Sequence, residues 1–234
     1  MRKEILFSIV LFVLLSLAFF YPVFKGFVPF PGDLLVGQYA PYNSYPFLGF
    51  APGGYPHKAQ GFDVLKLLYP AKEFAVETLK EGQMPLWNPY NFSGNPLFAS
   101  VQAGTLYPFT LLFLFAPFML AWTLYILLQT ILAGFFTFLL LREFQLSRKS
   151  SIFGALAYAF SSYMIVWIEY GNIGHTILWL PLALCLLYRN LKKPKLAQSI
   201  GLVLVLTLSL LAGYVQLAIY HFAFLGAFLL FYVV

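Results

Sequence analysis

Apolar residues in this chain come in long runs rather than in alternation. The first covers residues 5–23, directly after Arg2 and Lys3. Others cover 116–141, 151–168 and 176–191, and a last one extends from Leu196 to Val234. A helix needs ~20 apolar residues to cross a bilayer. The last run is nearly twice that length and is interrupted by Gly213-Tyr214-Val215-Gln216, so the pattern predicts two helices there, 196–212 and 214–234. The first run begins like a signal peptide, but it is too long for a cleaved core. It ends in Phe19-Phe20-Tyr21-Pro22 with no small-residue cleavage site, which predicts a retained signal anchor. Six transmembrane helices are expected.

Between the first two spans, residues 25–105 follow other rules. Asp33, after Pro31-Gly32, opens a short segment through Tyr39, and residues 41–60 are rich in Pro, Gly, Tyr and Asn, as irregular coil is. Then Phe62, Leu65, Leu68, Ala75, Val76 and Leu79 recur at helical spacing, with Lys66, Glu73, Glu77 and Lys80 on another face. That predicts an amphipathic helix over 63–81 on the membrane surface, bent at Pro70 and capped by Gly82. Residues 84–97 combine prolines and glycines, which exclude a long helix, with aromatics suited to an ordered loop packed on the bundle. Tyr107-Pro108 starts a short re-entrant piece over 106–115.

Composition supports the same class. Apolar residues make up 61% of the 234, charged residues 9%, and the mean hydropathy is +0.82. A soluble domain carries roughly a quarter charged residues, so the reading is an all-α polytopic membrane protein, a single membrane domain over 1–234. Cys185 is the only cysteine and excludes a disulfide scaffold. The net charge of +6 would suit a nucleic-acid binder, but the positions of the cations point to topology instead. Arg2 and Lys3, then Arg142, Arg148 and Lys149, then Arg189, Lys192, Lys193 and Lys195 occupy alternate connections. Residues 169–175 and 213–216 hold no Lys or Arg. This is the positive-inside pattern with a cytoplasmic N-terminus in the cell membrane. It places 25–105 outside and makes the lipid bilayer, not nucleic acid, the expected partner.

Both aspartates, Asp33 and Asp63, lie in that outer loop with three of the six glutamates. One positioned carboxylate suffices to take a proton from an attacking hydroxyl. Asp33 is the nearer to a span, while either aspartate is also suited to N-capping the segment that follows it, and Asp63 to pairing with Lys66. Glu73 and Glu77 belong to a solvated face. His175, in a short outer turn with Glu169, could meet a phosphate or cap a helix. His221, Gln129 and Gln216 fall in spans, where polar groups serve function or bond neighbouring helices. Trp87 and Trp179 suit sugar stacking or an interfacial belt; Lys58, Lys66 and Lys72 suit a pyrophosphate or lipid headgroups. The triplet Asn91-Phe92-Ser93 is a chance-level glycosylation match. No Asp-x-Asp pair occurs, which leans against a tightly bound divalent ion; a divalent cation stays open without motif support, and no other cofactor is expected.

The residues Asp63, Tyr69-Pro70, Gly82, Pro85-Leu86-Trp87-Asn88-Pro89-Tyr90, Gly94, Pro96-Leu97, Gln102 and Tyr107-Pro108 resemble the first extracytoplasmic loop of the bacterial YfhO membrane proteins. Leu146-Ser147-Arg148, Trp179-Leu180-Pro181 and Gly213-Tyr214-Val215-Gln216 are similar to that family's later segments. The resemblance implies a GT-C-like glycosyltransferase that moves a sugar from a polyprenyl-phosphate donor to a cell-envelope glycan acceptor on the outer face. It also implies an N-terminal portion of a longer protein, since family members have more spans and the final apolar run is still open at Val234. The candidate catalytic residues are Asp33 and Asp63. The candidate substrate-binding residues are Trp87, Asn88, Tyr90, Gln102, His175 and Gln216. The alternative is a non-catalytic scaffold or a transporter component, and nearly charge-free spans with acids gathered outside fit a through-membrane path less well.

Overall fold

Helices form wherever the long apolar runs lie. The computed structural model describes residues 2–46, 51–54, 61–91 and 93–233; among these there are helices and turns but no strand, only an isolated antiparallel bridge between Asn88 and Asn95. The α-helices are α1 (Arg2–Phe19), α2 (Leu34–Gln38), α3 (Tyr69–Lys80), α4 (Leu97–Ser100), α5 (Leu111–Phe115), α6 (Phe118–Glu143), α7 (Arg148–Ala159), α8 (Ser162–Val166), α9 (Asn172–Ile177), α10 (Leu180–Lys192), α11 (Leu196–Leu211) and α12 (Val215–Val233). Lys58 and half of the coil expected over 41–60 lie outside the described residues, as does Phe92 of the Asn91-Phe92-Ser93 triplet.

α6 is the hub. α1, α7 and α10 pack around it, α11 lies on α10, and α12 lies on α9 and α11. Trp122, Tyr125, Ile126 and Phe138 of α6 are fully buried, and its Thr130 hydroxyl shares a hydrogen bond of 2.8 Å with Ser16 of α1. Such pairs satisfy polar groups where no water reaches. Two helices, α6 and α12, are long and apolar enough to cross a membrane. Within the protein 61% of the apolar window of α6 is buried and only 17% of that of α12. α6 is therefore a core helix, and α12 turns Ile219, Phe224 and Phe231 outward.

Several expected boundaries shift for local reasons. α1 stops at Phe19 and a 3-10 turn follows over Tyr21–Lys25, because Pro22 cannot donate into a continuing ladder. The segment expected as one span over 151–168 is two helices. Ser161 breaks it by accepting a hydrogen bond from the Met164 N–H and capping α8 afresh. The segment expected over 176–191 is likewise divided, into α9 and α10, with Pro181 in the first turn of α10, where a missing N–H costs nothing. The short piece expected over 106–115 is a 3-10 turn, Pro108–Thr110, leading into α5.

The helix expected over 63–81 forms, with one surplus residue. Val64–Leu68 is a π-turn in which the Tyr69 N–H reaches the Val64 carbonyl, so the ladder is already widened where Pro70 would leave a carbonyl without a donor. At its far end Gly82, at φ 75°, donates to Leu79 and Gln83 donates to Thr78, each at 3.0 Å. This left-handed cap is the stop the sequence announces. The buried face of the helix, however, includes Lys72 together with Val64, Leu68, Ala71, Ala75 and Val76.

Candidate functional site

The aromatic loop after Gly82 is held by its own backbone. Asn88 and Asn95 exchange two hydrogen bonds, 2.8 and 2.9 Å, and the Asn88 side chain accepts from the Tyr90 N–H at 2.9 Å. Trp87 lies across Gly94 so closely that a Cβ there would stand 2.5 Å from its Nε1. Trp87 is otherwise solvent-facing, and Tyr90, largely exposed, sets its ring edge-on against Phe74 of α3 at 5.5 Å. The loop thereby encloses a groove of about 480 Å³ against α3, whose lining includes Asn88, Tyr90, Asn95, Ser100, Gln102 and Lys66. A second groove of about 220 Å³ shares Ser100 and Gln102 and continues to Gly213, Tyr214 and Gln216. The fold thus gathers Asn88, Tyr90, Gln102 and Gln216 along one surface and leaves Trp87 beside it.

Amides, a hydroxyl and a tyrosine make this lining a hydrogen-bonding surface for a polar, hydroxylated ligand, with Lys66 as its cation. No carboxylate lines either groove among the described residues. Nor do three His, Cys, Asp or Glu side chains converge anywhere among them to hold a metal ion.

The aspartates sit apart from this surface but near one another in the fold. Gly61 packs so tightly on Pro31 and Leu34 that a Cβ would come within 3.0 and 2.8 Å of them, which presses the turn of Asp63 onto the turn of Asp33. Neither aspartate makes a capping hydrogen bond, although each stands at the N-terminus of a helical segment. Asp33 is half-buried and follows Pro29, whose carbonyl accepts from Trp122 at the start of α6 at 3.3 Å. Asp63 is exposed, and its carboxylate takes the Tyr170 hydroxyl as donor; burial first, and Asp63 second, push that phenol up to about 12.

His175 is fully buried with both ring nitrogens engaged. Nε2 lies 2.8 Å from the Tyr125 carbonyl and therefore carries the proton; Nδ1 then accepts from the Tyr107 hydroxyl at 2.9 Å. Tyr107 in turn accepts from the Trp179 Nε1–H at 3.1 Å. The chain of donors is complete and neutral, and burial pushes the imidazole down to about 3. His175 and Trp179 thus act inside the protein and turn no ring nitrogen to a ligand.

Beside this chain stands a residue that the sequence reading assigned to headgroups or pyrophosphate. Lys72 is 5% exposed; its Nζ donates to the Ala103 carbonyl at 2.8 Å and lies 5.0 Å from the ring centres of both Phe113 and Tyr125. Burial alone pushes the amine down to about 7. It pins α3 to the 101–104 turn, which in turn meets Gly213, whose Cβ would stand 3.0 Å from the carbonyls of Val101 and Gln102. The spacing could have revealed it: Lys72 is four residues from both Leu68 and Val76 and so shares their face. Compared with known proteins, the chain matches no family model, no curated protein and no solved structure.

Proposed function

We propose that the chain is a YfhO-type, GT-C-like membrane glycosyltransferase that works at the outer face. Six spans set the N-terminus in the cytoplasm and residues 25–105 outside. A polyprenyl-phosphate sugar is the donor and a cell-envelope glycan the acceptor, with the glycan chain along the grooves and its reacting hydroxyl beyond them, at the aspartates. The observation that carries this reading is the convergence of Asn88, Tyr90, Gln102 and Gln216 on one continuous amide-lined surface. These are four of the six candidate binding residues, and side-chain amides with aromatic faces are what hydroxyl-rich ligands require.

Asp33 is the first choice for the base and Asp63 the second. The base removes the proton from the acceptor hydroxyl as its oxygen attacks the anomeric carbon; the phosphate leaves without protonation, so a second carboxylic acid is unnecessary. Asp33 is half-buried, close in sequence to the start-of-α6 contact at Pro29, where a membrane-borne donor can approach. The lack of capping bonds removes the most economical structural role for either aspartate.

The test is sugar transfer from a polyprenyl-phosphate donor by wild type, Asp33→Asn and Asp63→Asn at matched expression. Loss of a positioned base lowers turnover by ~10²–10⁴, and that loss is expected in Asp33→Asn. A near-normal rate there moves the base to Asp63. Near-normal rates in both favour the second reading, a scaffold that binds glycan without chemistry, which the carboxylate-free lining of the grooves also suits.

A further inference from the structure

At the opposite end of the bundle the charges are arranged differently. Five helix ends meet there. Arg142 at the end of α6 faces Glu4 of α1 at 3.4 Å, and Arg189 of α10 donates from Nε to Glu143 of α6 at 2.6 Å. Asn190 of α10 bonds Ser199 of α11 at 2.9 Å, and the Arg148 guanidinium at the start of α7 lies 3.8 Å from the ring centre of Phe7. Glu4 and Glu143 are the only acids in this part of the sequence, and both are used within the protein.

Among the described side chains at this end, the cations outside these ion pairs are Lys3, Arg148, Lys149, Lys192, Lys193 and Lys195, all exposed. Lys192 ends α10, and Lys193 and Lys195 stand among the three residues that join it to α11. Leu196, the next residue, is 77% exposed; Lys192 lies over the Tyr188 ring, which meets Tyr232 of the outward-facing α12 at 5.9 Å. A cationic cluster therefore borders an uncovered apolar surface. Monovalent phosphate esters in water would satisfy the first but not the second; a phospholipid satisfies both, with its anionic headgroup on the lysines and its acyl chains along α11 and α12. Each lysine near an anionic leaflet is worth ~1 kcal/mol of attraction, or roughly five-fold in binding.

We propose that Lys192, Lys193 and Lys195 form a binding site for anionic phospholipid of the cytoplasmic leaflet, with the neighbouring apolar faces of α11 and α12 holding the acyl chains. The site rests on the orientation proposed above. To test it, the full chain is reconstituted in phosphatidylcholine bilayers with and without phosphatidylglycerol, extracted gently, and weighed intact by native mass spectrometry. Wild type is expected to retain phosphatidylglycerol over phosphatidylcholine, and a Lys192→Gln/Lys193→Gln/Lys195→Gln variant to lose most of that preference. Equal retention of both lipids by wild type, or an unchanged preference in the variant, overturns the proposal. A variant that fails to fold is replaced by the same measurement on wild type at high salt, where an electrostatic preference collapses and an acyl-chain preference persists. Separately, Lys192→Cys labelled from outside intact cells would invert the orientation while leaving the measured lipid preference intact, so the two failures are distinguishable.

Discussion

The two ends of this protein handle polarity in opposite ways. At the end that carries residues 25–105, the outer end in the proposed orientation, polar side chains are buried and hydrogen-bonded across great sequence distance: Tyr107 with His175, Trp179 with Tyr107, Lys72 with the Ala103 carbonyl. At the other end charges are exposed, and the ion pairs Glu4–Arg142 and Glu143–Arg189 remain partly open to solvent. Buried polar groups are expensive to leave unsatisfied, so a network of them fixes one geometry. Exposed ion pairs contribute little to stability and tolerate rearrangement. The outer end is built to hold a surface in shape, the inner end to present charge.

That comparison fails most visibly if a single outer hydroxyl proves dispensable. Tyr107→Phe strands both the His175 Nδ1 acceptor and the Trp179 donor in a dry site, at about 1–3 kcal/mol for each group left unpaired. We expect a large drop in the apparent Tm in detergent; a change smaller than that of an inner-end variant would contradict the contrast.

The pH dependence sharpens it further. Lys72 has a pKa of about 7 when folded, lowered by burial from its ordinary 10.5, so the unfolded chain binds more protons between those values. Stability should therefore rise with pH from about 7 toward 10, as linkage requires. His175, pushed down to about 3, works in the same sense at lower pH: stability falls as pH drops from 6.5 toward 3. Lys72→Met keeps the length, removes the titration and should flatten the alkaline rise while leaving the acid limb. An unchanged alkaline slope, measured by thermal unfolding across pH, would show the amine is not what titrates.

The smallest effect belongs to the inner end. Glu143→Gln breaks the pair with Arg189, whose side chain is 39% exposed, and should cost below ~1 kcal/mol. A cost larger than that of Tyr107→Phe would reverse the order of the two ends.

Much of the architecture was readable because it is local. Apolar runs locate most of the long helices, and the Gly82 stop and the helix over 63–81 follow from residues within a turn of where they act. The breaks at Ser161 and at Leu178–Trp179 were hidden, since serine or tryptophan in an apolar run is compatible with a continuous helix until its partner is known. The site was legible only in part for the same reason. Asn88 and Gln102 come together through the Asn88–Asn95 pairing and α4, which polar composition suggested but could not place. His175 and Trp179 looked available to a ligand because their partner, Tyr107, is 68 and 72 residues away. Lys72 reads as a headgroup or pyrophosphate contact because lysine is ordinarily solvated, even where periodicity sets it among apolar neighbours.

The π-turn over Val64–Leu68 gives this helix a reserve of length. The wide turn takes up one surplus residue, so Tyr69 to Lys80 keep the angular phase they would have after an ordinary helix one residue shorter. Deleting one residue of that turn would let the ladder close as ordinary helix with Lys72 still beside Phe113 and Tyr125 and Ala71 still on the groove wall. Closing the turn without a deletion would instead rotate α3 by ~100° about its axis and carry Lys72 away from both rings. A single-codon deletion in this stretch is thus silent in the folded register: the wide turn marks a helix that carries one residue more than its contacts require.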